Sequence, residues 1–331
     1  MADVAVIGGG ISGISCATAL AEAGLTVDVL DRGHRLGGRL AAQTLRDTGT
    51  AYDGRVVDVG ASYFTVDDAR FGSVVGDWID RGIVRPWTDT FHIADGSGLL
   101  GTKSGPVRYA APRGLRSLVE DLASVLPSDL VEIRHPLDVT AVTIDGLSVR
   151  VMDRDYRAVA LCGPDPQMDA LVPGQPDRGG SADSPGHHAP LWEPVMALIA
   201  VYPDCTWDFD GAFVNDDPVL SFVADDGSRR GDDAPVLVAH STPVLAAGHL
   251  ADPVTAAPAM LAVLRNLSGS VPSWFSVKRW TYARPAHARP EAFSFDGVVG
   301  RAGDGWNGEP RTQSAWVSGD ALGRAMGESL R

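Results

Sequence analysis

Near the start of the chain, Gly8-Gly9-Gly10-Ile11-Ser12-Gly13 follows directly on the apolar run Val4-Ala5-Val6-Ile7. The string has the form G-x-G-x-x-G, which is chemistry for phosphate. Gly8 permits a tight turn, Gly10 lets a pyrophosphate approach the backbone, and Gly13 lets a helix pack closely on a strand. A helix opening through Ile11 and Ser12 presents free N–H donors and the positive end of its dipole. Asp31 stands at the offset of about 20 residues where a carboxylate accepts hydrogen bonds from an adenosine ribose, and Arg32 follows it. Leu36-Gly37-Gly38-Arg39-Leu40 then brings two more glycines and a cation toward the same pyrophosphate. Together these residues are equipped to bind a dinucleotide.

The elements that must hold them are equally legible. The β-branched run at 4–7 has the pattern of a strand buried on both faces of a parallel sheet. Residues 12–23 carry Ile14, Ala17, Leu20 and Ala21 at helical spacing, Gly24 supplies a stop, and 25–30 predicts a second buried strand. Strand, glycine turn, helix and strand within about 30 residues form a βαβ unit. Further on, the spacing predicts a strand at 56–59 and an amphipathic helix over 67–81 with Phe71, Val74, Val75 and Trp78 on one face. Short strands alternating with turns are expected from 83 to 109. A helix opened by Pro112 runs over 115–125, and strands follow at 131–134, 139–144, 147–152 and 159–162. The Pro-, Gly-, Asp- and Ser-rich stretch 163–194 reads as a crossing between domains. Beyond it, strands at 195–201, 220–223, 236–240 and 276–282 make a second, mostly antiparallel sheet, with a helix at 258–267.

Composition bounds the class. The chain has 331 residues, more than a single core accommodates, so about two domains are expected; 44% hydrophobic and 21% charged residues suit a globular protein. Lys and Arg number 28 against 42 Asp and Glu, a net charge of −14 that excludes a field for gathering nucleic acid or anionic lipid. No apolar run reaches the roughly 18 residues of a spanning helix, and no basic leader precedes the first strand, so no membrane partner and a cytoplasmic location are expected. The three cysteines, Cys16, Cys162 and Cys205, are odd in number and widely spaced, which argues against a disulfide framework or zinc site.

The string from Val6 through Asp31 to Arg39 resembles the flavin-binding signature of the flavin amine oxidase superfamily, where the arginine stacks across the diphosphate. Asp58-Val59-Gly60-Ala61 resembles the superfamily's next element, whose small residues, here Gly60, Ala61 and Ser62, lie beside the flavin ring. Trp316-Val317-Ser318-Gly319-Asp320 resembles the strand whose Gly-Asp holds the ribitol chain, Gly327 belongs with it, and Val139 matches the position whose backbone meets adenine. The middle is most similar to the renalase-like branch: Gly60 through Thr65 with Asp68 and Arg70-Phe71, Trp78 through Trp87, Gly163-Pro164-Asp165-Pro166-Gln167, and Arg279-Trp280-Thr281-Tyr282-Ala283. Cys162 and Gly163 replace that branch's more usual small apolar pair.

The resemblance implies an α/β fold in which a Rossmann-like FAD-binding domain (1–62, 105–163 and 297–331) carries an inserted, mostly antiparallel β-rich substrate domain (63–104 and 164–296). It implies non-covalent FAD, since no cysteine is placed for a thioether. It also implies an oxidase that takes hydride from a dihydropyridine, an isomer of reduced nicotinamide dinucleotide, onto flavin N5 and passes the electrons to dioxygen, giving hydrogen peroxide. An amine oxidase or desaturase of the same fold with another small-molecule, secondary-metabolite-like substrate is the alternative, and a non-catalytic flavin-binding protein a third. Hydride transfer to an electron sink needs orientation and exclusion of water more than an acid or base, so Tyr63, Trp280 and Tyr282 are the expected catalytic walls. Phe64 and Trp78 read as core, His187-His188 as a solvated loop and His240 as a core histidine at a strand end. Lys278 shares a strand face with Trp280, and the resemblance offers it the role of a flavin N5 lysine.

Overall fold

A computed structural model describes residues 2–146, 148–173 and 192–331. His187, His188 and most of the expected crossing, 174–191, lie outside the described residues. The chain forms two compact units: Met1–Arg39, Leu118–Trp192 and Arg284–Arg331 make the first, Leu40–Ser117 and Glu193–Ala283 the second.

The first unit is built on a six-stranded sheet. Strand β1 (Val4–Ile7) lies between Ala158–Leu161 and β2 (Val27–Leu30), parallel to both, with Val6 opposite Ala160 and Val29. Val131–Arg134 pairs with β2 and Val299–Arg301 with Ala158–Leu161, again in parallel; only the edge strand Ser294–Phe295 runs antiparallel. Val, Ala, Ile and Leu fill β1, β2 and Ala158–Leu161 apart from Asp28, and every residue of these three strands is buried, as strands covered on both faces require. Asp28 survives there because its Oδ2 accepts from the Tyr156 hydroxyl at 2.7 Å.

Helix α1 (Ile11–Glu22) covers the sheet, and the helix Thr312–Ser329 packs along it. Gly319, Gly323 and Gly327, spaced by four, form the contact: a Cβ on each would lie 2.0 Å from the Ser12 carbonyl oxygen, 2.5 Å from that of Cys16 and 2.7 Å from the Ala23 Cβ. The strand expected at 316–320 is therefore part of a helix. The apolar Trp316-Val317 pair imitates a strand, but the glycine period is that of a helix face.

The second unit holds a seven-stranded sheet in the order Trp274–Pro285, Trp192–Val201, Val236–Ser241, Leu220–Asp225, Gly211–Val214, Arg85–Asp95 and Gly98–Ala110. It is mostly antiparallel, with one parallel pair, Gly211–Val214 against Arg85–Asp95. Helix Ala257–Ser268 packs its Met260 and Leu264 on Leu198, Ala239 and neighbouring residues, and helix Ala69–Asp80 is capped by Asp68, which accepts from the Arg70 and Phe71 amides. The short strands expected from 83 to 109 are one long hairpin, turned where Asp95 Oδ1 accepts from Ser97 N at 2.7 Å. The helix expected to open at Pro112 starts at Arg116 instead, because Gly114 sits at φ +89° and breaks the helical path.

The units divide the chain differently from the expected domains. Residues 40–62 fall in the second unit because Leu45, Val57 and Val59 pack on Ala197, Ile199, Val236 and Val238. Residues 105–117 join them, Tyr109 bridging Phe64 in a short antiparallel pair. Residues 165–172 fall in the first unit, where Met168 and Val172 share a core with Ile7, Leu30 and Val159. Among the described residues no helix is long and apolar enough to cross a membrane.

Candidate dinucleotide-binding site

The turn after β1 lies at the carboxyl edge of the parallel sheet, where open α/β sheets place their ligands. Gly8 adopts φ +111°, and a Cβ there would lie 2.4 Å from the Cys162 carbonyl oxygen; a Cβ on Gly13 would lie 1.8 Å from the Gly8 carbonyl oxygen. Both glycines are demanded by the protein's own backbone. Gly10 is different: its Cβ would meet only the Gly38 Cα, at an ordinary contact distance of 4.0 Å, and a Cβ on Gly38 would lie 3.4 Å from the Gly10 Cα, so the two glycines let the turn and the following loop approach each other closely without a clash on Gly10 itself. Helix α1 begins there with Gly10 as N-cap, no capping side chain and no acidic residue in its first turn, and the Ser12 Oγ is buried without a partner among the described residues. Free N–H donors, an orphaned hydroxyl and a missing Cβ are what a diphosphate requires.

Asp31 ends β2 with both oxygens engaged: Oδ2 accepts from Gly9 N at 2.6 Å and Oδ1 from Gly33 N at 2.7 Å. It thereby ties the glycine turn to the following loop while retaining further lone pairs. Its carbonyl accepts from Leu137 N at 2.7 Å, anchoring the segment that leads to Val139, which is buried beside Leu30. Arg32 is exposed and Leu40 buried. A cleft of about 330 Å³ opens beside this loop, lined by Arg35, Leu36, Glu120, Ala123, Ser124 and His135.

Arg39 grips Asp304 with both guanidinium nitrogens at 2.6 Å, and its Cζ lies 4.9 Å from the Trp192 ring centroid. Asp304 follows the buried strand Val299–Arg301 through Ala302 and Gly303, and Gly303 N donates to Ser318 Oγ at 3.0 Å. A Gly-Asp pair thus stands just past a strand end at Gly303-Asp304, which the sequence reading missed. Gly319 and Asp320 lie within the helix, where the Asp320 carboxylate faces Arg324 at 3.2 Å, and Gly327 is a helix-packing residue. The missed signal was available: Val298-Val299-Gly300-Arg301, followed by Ala302 and then Gly303-Asp304, repeats the strand-then-glycine pattern of β1.

In the second unit, the segment carrying Gly60, Ala61 and Ser62 is pinned at both ends. Trp280 Nε1 donates to the Val59 carbonyl at 2.7 Å, and Arg229 Nη1 donates to that of Ser62 at 2.9 Å. Asp58, buried just before, accepts from Leu115 N at 2.9 Å and Arg230 Nη2 at 3.2 Å; burial pushes its carboxyl up despite Arg229 and Arg230. Those arginines and Arg55 converge on Asp226. Burial opposes charge on Asp226, but the three guanidinium groups outweigh it and hold the carboxyl down to about 2.

Of the expected catalytic walls, Trp280 packs against the Val57 and Ile199 cluster and Tyr282 is half-buried on the same strand. Tyr63 packs elsewhere, 5.3 Å from Phe91 and 6.4 Å from Trp87 between ring centroids. Among the described residues no ring contact joins Tyr63 to the other two. Phe64 and Trp78 are core, His240 lies 6.1 Å from the Phe222 ring, and Lys278 is exposed.

A glycine turn of this geometry at the edge of a parallel sheet is of the Rossmann type, and residues 6–76 match the family model for the NAD(P)-binding Rossmann-like domain. The chain shares its fold with solved amine oxidases. Cyclohexylamine oxidase from Brevibacterium oxydans IH-35A superposes with a TM-score of 0.71 at 15% identity, covering 99% of each chain. A chain from Exiguobacterium sp. 255-15, proposed as a protoporphyrinogen oxidase, gives 0.72 at 17% identity over 99% of this chain and 98% of that one. In sequence, the flavin-containing amine oxidase B of Bos taurus is 48% identical over 135 residues, 38% of this chain and 24% of the relative. The carotenoid 3,4-desaturase of Haloarcula japonica is 37% identical over 84 residues, 24% of this chain and 16% of that one. The chain thus matches less than a quarter of the length of either curated relative.

Proposed function

We propose that the chain is an FAD-dependent oxidoreductase that holds its flavin non-covalently and dehydrogenates a small molecule. The observation that carries this is the uncapped start of α1 beside the closely paired glycines Gly10 and Gly38, with the buried Ser12 hydroxyl lacking a partner among the described residues. The α1 amides and Ser12 would bind the diphosphate, the remaining Asp31 lone pairs would accept from the ribose, and Arg39, its fork held by Asp304, would offset the diphosphate charge. Bound flavin supplies an electron sink at N5 that takes hydride and returns the electrons to dioxygen as hydrogen peroxide. What the chain must add is orientation and dryness, the role proposed for Trp280, Tyr282 and Tyr63. Trp280 is suited to it because the Val59 bond fixes its indole.

On substrate, the names of the sequence relatives, amine oxidase and carotenoid desaturase, favour oxidation at a C–H bond of an amine or an alkyl chain. The motifs at 60–65 and 279–283 favour the renalase-like alternative, a dihydropyridine as hydride donor. Purified protein is expected to carry FAD that is released on acid precipitation. Stopped-flow bleaching of that flavin, against isomers of reduced nicotinamide dinucleotide and a panel of amines, separates the two readings. Protein purified without FAD that takes none up on reconstitution would overturn the proposal.

A further inference from the structure

The second unit contains a buried cation that nothing above employs. Arg108, on the hairpin strand Gly98–Ala110, is 6% exposed, and its Cζ lies 3.9 Å from the Phe91 ring centroid and 5.7 Å from that of Tyr63. Every other deeply buried arginine of this unit is answered by an acid: Arg229 by Asp226, Arg230 by Asp226 and Asp58. Arg108 has no carboxylate within ion-pair distance among the described residues, and its Nη1 is buried without a hydrogen-bond partner. The Tyr63 ring is its second aromatic neighbour, and the two N–H donors on Nη1 are left unmet among the described residues. A buried, unanswered charge is costly and is kept where an incoming group completes it.

We infer that Arg108, with the rings of Tyr63, Trp87 and Phe91, forms a subsite for a carboxylate carried on a flat apolar body. The inference rests on the oxidoreductase reading and specifies the class of its substrate. Trp87 and Phe91 are 5.2 Å apart between centroids and Phe222 lies 5.4 Å from Phe91, so the guanidinium sits in an aromatic nest. Tyr63, Trp87 and Phe213 are only half-buried, so the nest reaches the surface at those rings. The planar guanidinium fork matches a carboxylate edge to edge, with rings stacking on the body behind it. Phosphate fits less well: among the described residues Arg108 is the one cation lying over these rings, and the chain's net charge of −14 disfavours a dianion.

Titration calorimetry with benzoate on the protein as purified tests this, with FAD content measured on the same preparation. Benzoate is expected to bind, benzamide and benzylamine at least about tenfold more weakly, and inorganic phosphate not to displace it. Arg108→Met should weaken benzoate by about 10- to 100-fold and leave benzamide unchanged, with Arg108→Lys recovering part of the loss. Equal affinity for benzoate and benzamide, undiminished benzoate binding in Arg108→Met, or displacement by phosphate overturns the inference. If Arg108→Met does not fold, the benzoate and benzamide comparison on the unaltered protein decides. Benzoate selectivity in protein lacking FAD would uphold the subsite while the oxidoreductase reading falls; full FAD without benzoate selectivity would do the reverse.

Discussion

Asp225 stands where its surroundings oppose its charge. Burial pushes its carboxyl from an ordinary 3.8 up to about 6, and the adjacent Asp226 adds repulsion; hydrogen bonds from Ser228 N at 3.0 Å and Trp207 Nε1 at 2.9 Å offset only part of this. The folded state therefore holds the Asp225 proton more tightly than the unfolded chain does. The stability tied to that proton is fully present below pH 3.8 and is lost as pH rises through 6. A shift from 3.8 to about 6 amounts to about 3 kcal/mol. Urea unfolding of the wild type and Asp225→Asn at several pH values between 3.5 and 8 isolates this amount. Asparagine replaces one acceptor with a donor and so carries a constant cost, but it does not titrate. The stability difference, wild type minus variant, should fall by about 3 kcal/mol between roughly pH 3.5 and 6.5 and then stay level. A difference that is flat across that range would refute the reasoning. Asp226, held at about 2 by its arginines, works in the opposite sense: its contribution is present above pH 3.8 and lost as pH falls through 2.

Gly10→Ala should leave the melting temperature nearly unchanged, since its Cβ meets only Gly38, yet strip FAD from the purified protein; full flavin content would show that no diphosphate approaches there. Gly13→Ala, with a Cβ 1.8 Å from the Gly8 carbonyl oxygen, should destabilise the fold itself by about 1–3 kcal/mol or more, visible in a melt with or without FAD. Asp31→Ala leaves the Gly9 and Gly33 amides without their acceptor and should cost about 2 kcal/mol even in flavin-free protein, besides weakening FAD binding on fluorescence titration. Trp280→Phe removes the bond to the Val59 carbonyl and should cost about 1 kcal/mol while slowing flavin reduction in single turnover. A lowered melt with an unaltered reduction rate would retire Trp280 as a wall.

The first βαβ unit was legible because each local signal agreed with the next: buried β-branched strands, glycines that the backbone demands, and an acid at the second strand's end. Legibility failed where a pattern had two readings or none. Trp316 through Asp320 spells a strand with a Gly-Asp end only while Gly323 and Gly327 are ignored; the spacing of four belongs to a helix face. The hairpin over 85–110 was fragmented because the middle of its second strand is exposed on both faces, so no alternation marks its length. The convergence of Arg55, Arg229 and Arg230 on Asp226 joins positions as much as 171 residues apart, and no local rule announces such a meeting. Arg108 was invisible for the converse reason: its significance lies in the acid that is not beside it.

The glycine stripe that seats the helix Thr312–Ser329 on α1 also sets an order of events in the cell. α1 ends at Glu22 and its cover begins at Thr312, so about 290 residues are synthesised between them. At ribosomal rates of about 5–20 residues per second, the nascent N-terminal helix waits roughly 15–60 s with its small-residue face uncovered. The second unit's sheet, complete by Pro285, can form within that interval. Since α1 gains its cover only after that sheet has been synthesised, the start of α1, where the diphosphate site is proposed, becomes fixed late, and flavin loading is expected to follow the second sheet rather than guide its folding.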